Sequence, residues 1–301
     1  MSETPVCGEK MKLSEYFTRI GYTGPSYNTD LETLSMILEK HVTSIPYENL
    51  SPHCGETIEL NMEAIFNKMV RKHRGGCCVE NNALFYWVLK EMGYEVMFIP
   101  VRLYKPAKDS YESYPSHCVL IITIDSKRYM ADVGFVSSNQ MRQALELVSG
   151  KEQTQFPGTY RLTEANNIWY MDKTVRKIYI EGQSTNNESL QNQPSYQKLF
   201  CFDLKPCRIE DFQDKLTYLI TTPGAIFKEL SFVCYQTQNG MKTLKGTTYT
   251  EQIYNGRDGK DLRTSVTLTE EELQHAIKET FNLVLDKKLT PVNNFTCFLI
   301  E

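Results

Sequence analysis

Hydrophobic positions recur at helical spacing through the first ninety or so residues. Leu13, Tyr16, Phe17 and Ile20 share one helical face, and Met62, Ile65, Phe66, Met69 and Val70 repeat the pattern. Leu31, Leu34, Met36, Ile37 and Leu38 follow it more loosely. Residues 83–92 continue it with Leu84, Trp87 and Val88, and Gly93 stands where a helix C-terminal cap belongs. The period then changes. Residues 95–104 and His117–Ile124 are short and rich in Val, Ile and aromatic side chains, which predicts strands. Residues 127–135 read as a strand paired to the second of these across an Asp125-Ser126 turn. Residues 160–163 and 168–172 read as a hairpin around Ala165-Asn166-Asn167, and 177–181 as a further strand. A β-rich unit over about 94–202 is expected. Within it, 182–195 is polar and nearly free of bulky apolar residues, which predicts an exposed loop. The last hundred residues mix types. They hold a helix over 209–220, a turn at Thr221-Thr222-Pro223-Gly224 and strands to about Val266. Thr269 to Glu272 then form a capping box into a helix reaching Phe281. The fold class read from this is α+β, and 301 residues are enough for two or three units.

Composition narrows the function. Hydrophobic residues are 41% and charged residues 23%, ordinary for a soluble globular protein. A formal charge of −4 argues against nucleic acid as a partner, though a local basic patch for a phosphorylated cofactor remains compatible. Apolar runs such as Val119 to Ile124 are strand-length, so no membrane partner is expected. Met1-Ser2-Glu3-Thr4-Pro5 has neither the basic nor the apolar region of a secretory signal. Nine cysteines without a CxxC pair fit reduced thiols and a cytoplasmic location. The five histidines are scattered, so no metal site is expected.

The strongest local signal is Arg74-Gly75-Gly76-Cys77-Cys78-Val79-Glu80-Asn81-Asn82. Two glycines permit a tight turn, and the amphipathic helix that follows puts a cysteine at or near its N-terminus. There the helix dipole and free N–H groups favour a thiolate and can stabilise an oxyanion. Either Cys77 or Cys78 satisfies this pattern; a buried structural cysteine beside a glycine turn is the competing reading. A nucleophilic cysteine needs a base and the base an orienter. His117 opens an apolar strand, and Asp132 falls in the predicted strand beside it, near-opposite across the hairpin once one register offset or bulge intervenes. The other histidines serve less well. His41 and His275 are expected on solvated helix faces, His73 precedes the glycine turn, and His53 lies in a loop.

These residues match a known pattern. Arg74, Gly75, Gly76, Cys78, Glu80 and Asn82 spell the nucleophile motif Arg-Gly-Gly-x-Cys-x-Glu-x-Asn, and the chain resembles the arylamine N-acetyltransferases. Ile45-Pro46-Tyr47-Glu48-Asn49-Leu50 is similar to their Pro-Phe-Glu-Asn-Leu segment, and Asp132-Val133-Gly134-Phe135 to their Asp-(Val/Ala)-Gly-Phe. Residues 145–151, Arg161-Leu162-Thr163-Glu164 and the polar loop before 196 resemble vertebrate-type members. The resemblance implies a helical bundle over 1–93, a β-barrel over 94–202 and an α/β lid over 203–301. It implies a triad of Cys78, His117 and Asp132, which selects Cys78 over Cys77, and a buried charge pair of Glu48 and Arg74. It also implies acetyl-CoA as donor, contacted by Ser113, Tyr218 and Gly224, and a substrate pocket with Ser116 and Phe135. Two departures stand out: Tyr114-Pro115 replaces a small flexible pair, and residues 293–301 differ from the usual vertebrate tail.

The implied reaction passes acetyl from acetyl-CoA to the cysteine and then to an aromatic amine, arylhydrazine or N-hydroxyarylamine, with no obligate protein partner. A transglutaminase or papain-like peptidase would use the same three residues without coenzyme A. A binding protein on an inactive scaffold is the non-enzymatic alternative, and it sits poorly with a complete triad.

Overall fold

In the computed structural model, residues 10–180, 195–257 and 259–294 are described. The loop expected over 182–195 lies outside them apart from Ser195, as does the C-terminal segment after Asn294.

Three expected helices form with identifiable ends. Leu13–Ile20 buries Tyr16, Phe17 and Ile20 and stops at Gly21, whose φ of 63° is left-handed. Leu31–Val42 starts where Asp30 accepts the Thr33 N–H at 2.7 Å. Met62–Phe66 continues as a wider turn over Asn67–Arg71. The helix expected from residue 83 instead begins at Cys78 and runs to Met92. Its first turn holds Glu80, Asn81 and Asn82, all buried, so polar residues in core positions hide the helical period there.

An antiparallel sheet follows in the order Leu145–Glu146, Lys127–Ala131, His117–Ile124, Glu95–Lys105, Tyr196–Phe202, Ile168–Thr174, Gly158–Ala165, Glu152–Gln155. Alternate residues serve two cores. Phe98, Leu120 and Ile122 face the helices, while Ile99, Val119, Ile121, Tyr160, Leu162 and Phe200 fill the interior of the curl. The two edge strands nearly meet. Gln153 Oε1 accepts the Glu146 N–H at 2.8 Å, and its Nε2 donates to Glu146 O at 2.9 Å, which gives a nearly closed barrel. The Asp125-Ser126 and Asn166-Asn167 turns carry positive φ at both positions, as tight hairpins require.

A second sheet runs in the order Tyr47–Glu48, Phe232–Thr237, Gly240–Lys245, Thr248–Arg257, Lys260–Thr267, Ile178–Ile180. The Glu270–His275 helix packs Leu273 against it together with Ile277, Phe281, Val233 and Leu244. The strand expected over 177–181 forms, but it pairs parallel to Lys260–Thr267 rather than with the barrel. Tyr47–Glu48 pairs with Cys234 and Val233, so the segment before the glycine turn lies on the edge of this second sheet.

Candidate active site

The glycine turn is shaped by contact. A Cβ on Gly75 would lie 2.1 Å from Pro46 O, so no larger residue fits without moving that backbone. Gly76 is clasped by the neighbouring segment: its O accepts the Glu48 N–H at 3.0 Å, and its N–H donates to Pro46 O at 3.3 Å. Arg74 donates from Nε to Glu48 Oε1 at 3.0 Å, and its Nη2 lies 2.9 Å from the same oxygen. Burial alone disfavours a charged Glu48, but Lys68 and Arg74 outweigh it and hold the carboxyl below its ordinary range. Glu80 accepts the Cys77 N–H at 2.9 Å and the Lys68 ammonium at 2.8 Å, which fixes the helix start.

The two cysteines then separate. Cys77 is fully buried; its hydrogen bond with Cys78, and burial after that, push its thiol well above the ordinary value. Cys78, the first helical residue, borders a cavity of about 400 Å³.

His117 and Asp132 meet, but not as strand neighbours. The strand expected over 127–135 ends at Ala131, and Asp132 lies just beyond it. The ladder pairs Leu120 with Ala131, so continuing it would put His117 opposite Gly134, two residues past the aspartate. Asp132 turns out of the ladder and accepts His117 Nε2–H on Oδ2 at 2.6 Å. Its other oxygen accepts Asn82 Nδ2 at 3.0 Å and the Gly134 N–H at 2.9 Å, so this fully buried carboxylate is satisfied. Gly134 permits that approach: a Cβ there would sit 2.7 Å from Cys78 O.

Asn82 joins the three segments. Its Nδ2 reaches Asp132 Oδ1, Cys118 O at 3.0 Å and Cys78 O at 3.2 Å, and its Oδ1 accepts the Val133 N–H at 3.1 Å. One turn beyond Cys78, it holds the cysteine helix against the histidine and aspartate segments. The motif contained it, but spacing gave it no task. Gln140 went unnoticed altogether. It donates to Asp132 O and accepts the Phe135 N–H at 2.9 Å.

Phe135 stands edge-on to His117 with ring centres 5.2 Å apart, and Phe200 lies 6.0 Å from the imidazole. Ser116 O is 3.9 Å from Cys78 Sγ, and its hydroxyl donates to Glu112, whose second oxygen meets Lys105 Nζ at 2.8 Å. Cys78, Ser116, His117, Phe135 and Tyr218 all line the one cavity, with Phe227, Leu230 and Phe232 as apolar wall. Ser113 is exposed and outside that lining. Gly224 is also outside it, in a left-handed turn with φ of 81°, although the adjacent Ala225 is a wall residue.

Known proteins are similar to this chain over nearly its whole length. A profile described as N-acetyltransferase matches residues 30–290. A pineal-gland arylamine N-acetyltransferase of Gallus gallus is 44% identical over 94% of this chain and 98% of its own length. Arylamine N-acetyltransferase 1 of Homo sapiens is 40% identical over 96% and 100%. The chain belongs to the arylamine N-acetyltransferase family. Among solved structures, the arylamine N-acetyltransferase of Mycobacterium smegmatis superposes with a TM-score of 0.76 at 29% identity, covering 92% of this chain and 93% of that one.

His41, expected on a solvated face of its helix, is not on one. It is fully buried; Tyr16 OH lies 2.8 Å from Nδ1 and Asn81 Oδ1 lies 3.1 Å from Nε2. Asn81 spends its amide protons on Gly76 O at 2.6 Å and Cys77 O at 3.2 Å. Its oxygen is therefore the acceptor, so His41 carries its proton on Nε2 and Tyr16 donates to Nδ1. The run of polar residues behind Cys78 was visible in the sequence; that a helical histidine faced inward to meet it was not.

Proposed function

We propose that this chain transfers acetyl from acetyl-CoA, through an acetyl-cysteine at Cys78, to an aromatic amine. The observation that carries this is the cavity itself: Cys78 at a helix start and the His117–Asp132 pair open onto one apolar-walled space. The relatives named for arylamine N-acetylation support the same reading.

The residues fit the donor. Lys105, Lys198 and Lys215 border the cavity, a local cationic group on a chain of net charge −4 suited to the phosphates of coenzyme A. Tyr218 is half exposed at the same opening. In this reading Ser113 and Gly224 contribute from the flanking turns.

Asp132 holds Nε2–H of His117, which leaves Nδ1 to exchange a proton with Cys78. Cys78 Sγ bonds to the acetyl carbon, and the coenzyme A sulfur departs with the proton from His117. An aromatic amine is neutral near pH 7 and nucleophilic; its nitrogen bonds to the acetyl carbon, its proton passes to His117, and the bond to Cys78 breaks. Phe135, Phe227, Leu230 and Phe232 keep the thioester from water. The bundle supplies the sulfur, the barrel the histidine and aspartate, and the segment after 203 part of the wall. Arylhydrazines and N-hydroxyarylamines are acceptors of the same class. A cytoplasmic setting and the acetylation of foreign amines belong to this proposal too.

Initial rates measured over a grid of acetyl-CoA and arylamine concentrations are expected to give parallel double-reciprocal lines. Intersecting lines would contradict an acetyl-enzyme that outlives coenzyme A release.

A further inference from the structure

We propose that the hydroxyl of Tyr47 is a catalytic hydrogen-bond donor that stabilises the oxyanion formed whenever the acetyl carbon is bonded to Cys78 Sγ. This rests on the acetyl-cysteine reading above and adds a residue to it.

Tyr47 is held from both sides. It pairs with Cys234 on one edge and bridges Gly76 on the other, two residues before Cys78. Its ring stands edge-on to Phe232, with centres 6.0 Å apart. Fixed in this way, its side chain borders the cavity together with Cys78 and His117.

The neighbouring polar groups have other commitments. Asn49 donates to Leu230 O at 2.7 Å and accepts the Phe232 N–H at 2.7 Å. Ser116 donates to Glu112, and His117 Nε2–H to Asp132. Among the described residues nothing accepts the Tyr47 O–H. An unspent donor therefore borders the cavity beside the nucleophile. Burial, and next the facing Cys78, Cys77 and Glu80 groups, push the phenol well above its ordinary value, so it keeps its proton at any working pH.

The step balances without proton transfer from the tyrosine. As Sγ bonds to the acetyl carbon, the carbonyl π electrons move onto oxygen, and the Tyr47 O–H donates to that oxygen. When the carbonyl re-forms, the coenzyme A sulfur leaves and takes its proton from His117. The same oxygen receives the same donor when the amine displaces Cys78.

The family segment that this stretch resembles has phenylalanine at this place, so Tyr47→Phe removes one oxygen and keeps a ring of accepted size. Two rates decide the matter: acetylation of Cys78 by acetyl-CoA, followed by quenched intact-mass spectrometry, and alkylation of Cys78 by iodoacetamide across pH. Alkylation needs the thiolate but forms no oxyanion. Acetylation by Tyr47→Phe is expected to fall about a hundred-fold, the low end for losing one oxyanion donor, with the alkylation profile unchanged. Acetylation within about two-fold of the parent would overturn the proposal, as would a parallel change in both rates, which would mean that the tyrosine tunes the thiolate instead. Failure of the parent itself to acetylate would sink the acetyl-cysteine reading, a result separate from either of these.

Discussion

Asn82 is the side chain on which the geometry of the candidate site converges, since it touches the cysteine helix, the histidine strand and the aspartate turn at once. Asn82→Ala would leave the Val133 N–H unpaired and strip Asp132 Oδ1 of one donor inside the protein. Stranding one buried group costs roughly 1–3 kcal/mol, so urea unfolding of the variant should show a loss of about 2 kcal/mol, accompanied by slower acetylation of Cys78. Unchanged stability with unchanged acetylation would mean that the network is slack. At this scale the sequence was partly legible. The glycine turn, the histidine and the aspartate could be singled out by residue type and spacing. Choosing between Cys77 and Cys78 needed either the family resemblance or burial, because adjacent residues share every sequence signal. Glu48 and Arg74, expected as a pair from resemblance, do meet at 3.0 Å.

Among the elements, helices with a clean apolar period and capped ends were readable, as were the hairpins with two left-handed turn residues. Two boundaries were not. The Cys78–Met92 helix starts on polar residues that are buried because they hydrogen-bond one another, which inverts the usual pattern. The strand after the Asp125-Ser126 turn ends at Ala131 because Asp132 leaves the ladder for His117. The Leu31–Val42 helix adds a consequence through His41. Burial, its largest influence, lowers that imidazole from 6.5 to about 4 despite the favourable Asn81 contact. Between those values the unfolded chain binds the proton and the folded one does not, so the stability His41 contributes is complete above about pH 6.5 and is lost as pH falls toward 4. The stability advantage of the parent over His41→Gln, measured by urea unfolding at pH 7, should therefore shrink at about pH 4.5. An advantage that stays constant between the two would show that His41 titrates normally.

For the whole molecule, the α+β class and the switch from helical to strand period were visible in the sequence. The barrel's closure was not, because it depends on Gln153 joining two edge strands through its side chain. Nor was the second sheet, which gathers strands from residues 47–48, 178–180 and 232–267, distances that no local pattern encodes. Among the described residues no helix is long and apolar enough to cross a membrane. The cavity draws its lining from the start of the Cys78–Met92 helix, the barrel strands, Tyr47 and the stretch from Lys215 to Phe232, with Cys78 and His117 among its walls and lysines on its border. The proposed carrier of the acetyl group in that cavity is Cys78. The direct test is intact-mass spectrometry with peptide mapping after mixing the protein with acetyl-CoA and no amine. One added acetyl is expected, mapped to Cys78, absent in Cys78→Ala, retained in Cys77→Ala, and discharged by an arylamine. A folded protein that gains no acetyl group, or gains it on Cys77, would contradict it.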